Sequence, residues 1–314
     1  MANAGCPSPP TLTHTASSLL IATGVGHRTI AMPLVGLGTW EYNDTVAGAA
    51  VESAFKLGYR HVDTALTYGN QRGVGQALHA TGLARQEYFI TTKIPGATTM
   101  DAKDTIAALE QCLSLLDTPY VDLMLIHWPG NVTKAGRQTQ WRAMEQWARS
   151  GKARAIGVSH YCKSHVSEVL EINTVPIALN QNQYHVGMGT DTEKRLHDKR
   201  WLQQQGILFM AYSTLCGPCP APENHALITG ELVTSVAKNV GAGVTGAQVA
   251  LKWAVQQGIP VIPKSSNPKH QASNFDLFSF SIGDPDMARL TGATAPAETG
   301  TTQNPDDAQD CAAE

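Results

Sequence analysis

The sequence predicts an α/β chain folded as one (β/α)8 TIM barrel, with an N-terminal β-hairpin and a C-terminal tail. Three observations predict it. Strand-like apolar runs recur eight times and alternate with helical patterns. Glycines stand at the helix-to-strand joints. The fingerprints of the open nucleotide-binding sheets are missing: Gly36 and Gly38 close the first barrel run without a third glycine, and no G-x-x-x-x-G-K-[ST] occurs.

The elements follow in order. Residues 1–18, rich in Pro, Ser and Thr, read as a loose tail, and Leu19–Pro33 as a hairpin. The strand runs then fall at 34–40, 59–65, 88–94, 121–128, 153–160, 177–185, 207–214 and 259–265. Most are continuously apolar in their middle, as strands covered on both faces are. Between them, Val46, Ala49, Ala50, Ala54 and Leu57 form one helical stripe. Ile106, Leu109, Leu113 and Leu116 form a second, and Trp141, Met144 and Trp147 a third. Gly58, Gly151, Gly206 and Gly258 each end a helical pattern, where a residue without Cβ enters the left-handed region freely. No linker divides residues 19–290, so they are expected to form one domain, and residues 291–314 an exposed tail.

Composition narrows the functions. Hydrophobic residues make up 42% and charged residues 16%, which suits a globular protein with ample core and not a disordered chain. A net charge of −3 without a basic run argues against nucleic acid and anionic membranes as partners. No apolar stretch is long enough to span a bilayer, and the start lacks the pattern of a signal peptide. The six scattered cysteines suit a reducing compartment, so a cytoplasmic protein is expected; a monomer is expected as well.

A barrel enzyme works from the C-terminal ends of its strands. Asp63, Lys93 and His127 stand near the ends of the second, third and fourth barrel runs, and Tyr68 in the loop after the second. This set suits carbonyl reduction. Hydride addition leaves an alkoxide that needs a proton. A phenol of pKa about 10 is a weak donor, and a nearby ammonium lowers that pKa. Lys93 is therefore expected to bring Tyr68 down, with Asp63 holding Lys93 and His127 orienting the carbonyl oxygen. Singly, each residue has a plain alternative: a packed loop tyrosine, a structural ion pair, a histidine capping the barrel.

The segments 58–75, TTKIPG (91–96) and LIHWP (125–129) resemble signature regions of the aldo-keto reductase superfamily. The resemblance continues through IGVSHY (156–161), NQNQYH (180–185), AYSTL (211–215) and VIPKSSNP (261–268), in order over about residues 17–290. It implies the same barrel, NADPH (NADP+) as cofactor, NADH tolerated, and a small-molecule carbonyl substrate. The family's tetrad falls on Asp63, Tyr68, Lys93 and His127. Cofactor contacts fall on Thr39, Ser159, His160, Gln181, Tyr212, Ser213, Leu215, Lys264, Ser265, Ser266, His270 and Asn274. Among these the resemblance implies that Ser159 and Gln181 bind the nicotinamide carboxamide and that Tyr212 stacks on its ring. Lys264 and Ser265 would grip the 2′-phosphate. Pocket-lining positions fall on Trp40, Thr67, Ile94 and Trp128. Three residues depart from the family pattern: His160 replaces Asn, Gln183 replaces Glu, and His270 replaces an Arg that pairs with the 2′-phosphate. An imidazole lacks the fork and permanent charge of arginine, so NADPH preference is expected to be less strict.

Other features carry rival readings. Cys216, Gly217, Pro218 and Cys219 spell a thioredoxin tetrapeptide, but Pro220 and Pro222 follow where that fold begins a helix. The motif falls in the loop expected over the cofactor, where a Cys216–Cys219 disulfide would be regulatory. A metal hydrolase would use His61, Asp63, His127 and His185 and leave Tyr68 and Lys93 idle, so no metal is expected. A cofactor-binding regulatory subunit without turnover is the alternative to an enzyme, and the complete tetrad favours the enzyme.

Overall fold

The computed structural model describes residues 17–23, 29–188, 199–217, 225–241 and 243–295. Most of the two expected tails, and Cys219, lie outside these residues. Strands β1 (Ser18–Ala22) and β2 (Thr29–Pro33) pair antiparallel, as the hairpin pattern predicts. Seven parallel strands follow in sequential order: β3 (Leu37–Gly38), β4 (His61–Asp63), β5 (Phe89–Ile94), β6 (Val121–Ile126), β7 (Ala153–Ser159), β8 (Ile177–Gln183) and β9 (Leu208–Tyr212). The ring closes through Val261, which bridges Val35 on one side and Ala211 on the other. The eighth strand expected at 259–265 is reduced to this bridge. Pro260 and Pro263 flank it and offer no N–H for a ladder, though their carbonyls accept from Ala211 at 2.9 Å and Gly38 at 3.2 Å.

Helices α1 (Asp44–Lys56), α2 (Gln71–Ala80), α3 (Ala102–Leu116), α4 (Lys134–Trp147), α5 (Lys163–Leu170) and α6 (Lys199–Gln204) alternate with the strands. After β9 come α7 (Ala226–Thr229), α8 (Glu231–Val240), α9 (Gly246–Gln256), α10 (Pro268–Phe275) and α11 (Asp284–Gly292). Local sequence explains the starts. Asn43 caps α1 by accepting from Val46 N at 2.9 Å, and Thr245 with Gln248 makes a capping box on α9. The four joint glycines all have positive φ, at 104°, 85°, 74° and 75° for Gly58, Gly151, Gly206 and Gly258. The α3 stripe buries Leu109, Leu113 and Leu116, and the α4 stripe buries Trp141, Met144 and Trp147. The expected α1 stripe is corrected. Its buried face is Ala47, Ala50, Val51, Ala54 and Phe55, while Ala49 is exposed.

Two apolar layers result, and the strands separate them by their period of two. Val62, Ile90, Ile94, Met124, Ile126, Ile156, Val158, Phe209 and Ala211 belong to the outer core under the helices. Phe89, Leu123, Leu125, Ala155, Leu179 and Met210 belong to the inner core, together with Ile21, Ile30 and Met32 of the hairpin. The hairpin therefore packs against the barrel interior. Each such buried aliphatic side chain stabilises by roughly 1.5–3 kcal/mol. α2 presses on its neighbours because Gly73 and Gly75 lack Cβ atoms: a Cβ on Gly73 would stand 2.0 Å from Asp44 O, and one on Gly75 2.5 Å from Leu116 O.

Candidate active site

The inward parity of the strands continues to their C-terminal ends and there turns polar. β4 delivers Asp63, β5 Lys93, β7 Ser159, β8 Gln181 and Gln183, and β9 Tyr212. His127 follows β6, its N–H donating to Ile94 O at 2.8 Å. These side chains form a connected tier. The Lys93 ammonium makes a short charge-assisted hydrogen bond to Asp63 Oδ1 and donates to Thr64 O at 3.1 Å. Gln181 Nε2 donates to the other carboxylate oxygen, Asp63 Oδ2, at 2.8 Å. Asp63, Lys93 and Gln181 are all buried. Burial lowers the Lys93 pKa, and Asp63 opposes that shift. A buried ion pair is poor evidence for stability, because dehydration offsets the attraction. Its use here is to fix a cation under the mouth.

Tyr68 ends a single 3-10 turn, Leu66–Tyr68, tied down by a buried asparagine. Asn70 Nδ2 donates to Thr39 O and Tyr42 O, both at 2.8 Å, and Thr64 Oγ1 donates to Asn70 Oδ1 at 2.8 Å. The Tyr68 ring meets the His127 ring edge-on at 5.4 Å, and Lys93 Nζ lies 5.3 Å from the Tyr68 ring centre. The expected lowering of the Tyr68 pKa is corrected. Burial pushes the phenol well above its ordinary value, and Asp63 and then Tyr212 push it the same way. Dehydration disfavours the phenolate, and the Lys93 charge is answered by Asp63 at contact distance. Tyr68 thus holds its proton at neutral pH. His127 is held well below the usual imidazole range by burial, then by the charge of Lys93. Its Nδ1 stands 3.2 Å from Thr67 Oγ1. With that hydroxyl donating, the Nε2–H of a neutral imidazole remains to meet a carbonyl oxygen.

These residues open on a cleft of about 610 Å³, within the range of small-molecule sites. Asp63, Tyr68 and His127 line it, with Trp40, Thr67 and Trp128 of the expected substrate wall. Ile94 is corrected. It follows the inward-pointing Lys93, so it points outward and is 0% exposed in the outer core. Of the expected cofactor residues, Thr39, His160, Gln181, Tyr212, Ser213, Leu215 and Lys264 line the cleft. Ser159 is buried, and its hydroxyl donates to Gln181 O at 2.8 Å. Ser265, Ser266, His270 and Asn274 are not in the cleft wall. They lie on the segment after Lys264 and on α10, where Ser265 Oγ accepts from Asn267 N at 3.1 Å and Asn274 is buried.

Sequence reasoning missed Glu41, Thr214 and the supporting Asn70, and it noted Gln183 only as a departure. Gln183 lines the cleft because it lies two residues from Gln181 on one strand, a signal that was available. Glu41 Oε2 pairs with Lys264 Nζ at 3.3 Å, and the ammonium also lies over the rings of Trp40 at 5.4 Å and Tyr42 at 5.1 Å. Backbone strain concentrates here. Among the described residues, the non-glycine residues with positive φ are Glu41, Asp117, His160, Ser213 and Cys216, and all but Asp117 lie in the loops at the mouth.

The chain matches the model of the aldo/keto reductase family over residues 34–295. It belongs to that family. It is 36% identical over 282 residues to a glyoxal reductase of Bacillus subtilis, covering 90% of this chain and 95% of that one. It is 33% identical to an aldehyde reductase of Saccharomyces cerevisiae, covering 88% and 91%. Among solved structures, an aldo-keto reductase from a deep-sea metagenome library superposes with a TM-score of 0.77 at 32% identity, covering 87% of this chain and 96% of that one. The reductase is therefore an NAD(P)H-dependent oxidoreductase on a (β/α)8 barrel. Among its described residues, no group of three or more His, Cys, Asp or Glu side chains is placed to hold a metal ion. His61 Nε2 instead lies 2.9 Å from Thr91 Oγ1. No described helix is long and apolar enough to cross a membrane. Cys216 Sγ lies 3.5 Å from His185 Nε2. The expected Cys216–Cys219 pairing involves a residue outside those described.

Proposed function

We propose that the protein reduces aldehydes and ketones to alcohols with NADPH, and that Tyr68 donates the proton. The observation that carries this reading is the hydrogen-bonded set Lys93–Asp63–Gln181 beneath the Tyr68 and His127 rings, at the floor of a cleft that extends to Lys264. The residues fit a nicotinamide dinucleotide. Tyr212 offers a ring in the wall, and Gln181 spends its amide N–H on Asp63 while its oxygen makes no hydrogen bond among the described residues. Thr214 Oγ1 is buried in the same wall without a partner among the described residues, a donor suited to a phosphate oxygen.

Bound there, the cofactor supplies hydride to the carbonyl carbon. The protein does the rest. His127, neutral, orients the carbonyl oxygen by an N–H. Tyr68 gives its O–H proton to that oxygen as negative charge develops. The Lys93 ammonium stabilises the phenolate left behind, and Asp63 keeps Lys93 in place. Trp40, Trp128 and Leu215 give the cleft an apolar rim that excludes water and accepts aliphatic or aromatic carbonyl compounds. The names of the glyoxal and aldehyde reductase relatives support small aldehydes as the substrate class.

Lys264, with the Ser265 and Ser266 hydroxyls and the N-terminus of α10, supports recognition of the 2′-phosphate. Asn274 and His270 would face the adenosine end. The test is loss of reduced-cofactor absorbance with a panel of glyoxal, nitrobenzaldehyde and simple ketones. Turnover of aldehydes, faster with NADPH than with NADH, is the expected result. No oxidation of either cofactor with any carbonyl would overturn the proposal.

A further inference from the structure

At position 160, where the resemblance implies asparagine, this chain has histidine, and its ring bridges two parts of the mouth. His160 follows β7 in the left-handed region, with φ 58°, and its N–H donates to Gln181 O at 3.1 Å. That conformation sends the imidazole across the mouth of the barrel. Its Nδ1 lies 2.8 Å from His127 O, and its Nε2 lies 2.8 Å from the Tyr212 hydroxyl. The two rings stand 4.9 Å apart at 55°.

The partners fix the tautomer. A main-chain carbonyl can only accept, so Nδ1 carries the proton and donates to His127 O. Ser159 agrees with this. Its own proton goes to Gln181 O, so its oxygen can only accept from Nδ1, 3.3 Å away. In a neutral imidazole Nε2 is then a bare lone pair, and the Tyr212 O–H must donate to it. Burial favours that neutral form and lowers the His160 pKa.

We propose that His160 is a positioning residue that clamps the Tyr212 ring to the main chain of His127, so that the cofactor wall and the proton-donating wall of the cleft are held as one unit. The proposal rests on the reading of Tyr212 as the ring that faces the nicotinamide. A phenol tethered at its oxygen keeps its χ angles without help from the cofactor, so less order must be imposed on binding.

Two measurements test it. The first needs no cofactor: long-range proton–nitrogen NMR of the protein labelled at histidine nitrogen, with His160→Asn to assign the signal. The Nδ1–H tautomer is expected, and an Nε2–H tautomer overturns the clamp. The second is a double-mutant cycle with His160→Asn and Tyr212→Phe, read as the dissociation constant for NADPH and as KM against kcat. Phenylalanine keeps the ring and removes the tether. Each single variant is expected to weaken cofactor binding about three- to tenfold, the scale of one neutral hydrogen bond, with the effect on cofactor KM and not on kcat. The double variant is expected to be no weaker than the worse single one. Additive losses, a Tyr212→Phe variant that binds like the parent, or losses confined to kcat would overturn the proposal. A parent that binds no NADPH would instead defeat the cofactor reading, and the NMR result would still decide the clamp.

Discussion

Gln181 donates to Asp63 across the barrel at 2.8 Å, so the carboxylate that holds Lys93 is also held by a residue of the cleft wall. In the proposed mechanism, cofactor binding and acid catalysis therefore share this hydrogen bond. Gln181→Leu should impair both, raising the NADPH dissociation constant and lowering kcat, each by about tenfold or more. Hydrogen bonds to charged groups are worth roughly 1.5–3 kcal/mol. A stopped-flow binding assay run with steady-state kinetics checks it. A loss in one parameter alone would mean that the shared bond does not couple the two.

The Asp63–Lys93 pair leads to a second expectation. Lys93→Met leaves Asp63 buried with its charge unanswered, which costs about 3–5 kcal/mol. Urea unfolding should show a lower midpoint for this variant. The double variant Asp63→Asn/Lys93→Met should regain much of the stability and none of the turnover. Lys93→Arg should keep more activity than Lys93→Met, because charge near the phenol is retained. A double variant with restored turnover would remove the pair from the mechanism.

The pH profile follows from two opposite shifts. His127 is held well below 6.5, so it becomes charged only in acid. Tyr68 is pushed well above 10, so it loses its proton only in strong base. The reductive kcat/KM should therefore be flat between about pH 6.5 and pH 10. A basic limb with a midpoint near pH 8 would show that the phenol is not held up as its surroundings imply. Because Lys93 is one cause of the low His127 value, Lys93→Met should move the acid limb to higher pH.

Much of this was legible in the sequence, for physical reasons that differ by residue. Continuous apolar runs marked the strands because helices cover one face and the barrel interior the other. The tetrad positions could be read from strand ends, and the structure brings Asp63, Tyr68, Lys93 and His127 together. Ile94 was assigned to the wrong face because a matched motif does not by itself apply the strand's period of two, although its neighbour Lys93 already implied the opposite side. The α1 stripe was misplaced because an alanine-rich helix offers several equally small faces. The Tyr68 shift was read with the wrong sign because dehydration is a property of the folded site and leaves no mark on the chain. The His160 bridge was hidden for the same reason, since it depends on a left-handed backbone.

In the proposed function, cofactor choice rests on few charges. Glu41 lies in the cleft wall with its carboxylate on Lys264, and both side chains are substantially exposed, so the pair adds little stability. It does place a negative charge where a phosphate would lie. Glu41→Gln should tighten NADPH several-fold. Lys264→Met should cut the preference for NADPH over NADH by about tenfold to a hundredfold, and His270→Arg should raise it. The ratio of kcat/KM for the two cofactors checks all three. Unchanged ratios in Lys264→Met would separate this lysine from phosphate recognition.

The central claim is that the Tyr68 hydroxyl gives the proton. Single-turnover reduction of an aldehyde by NADPH-loaded Tyr68→Phe, with the cofactor dissociation constant measured on the same preparation, tests it most directly. The account predicts parent-like cofactor binding and a rate lower by about 10²–10⁴. A rate within a few-fold of the parent, with the cofactor bound normally, would contradict it.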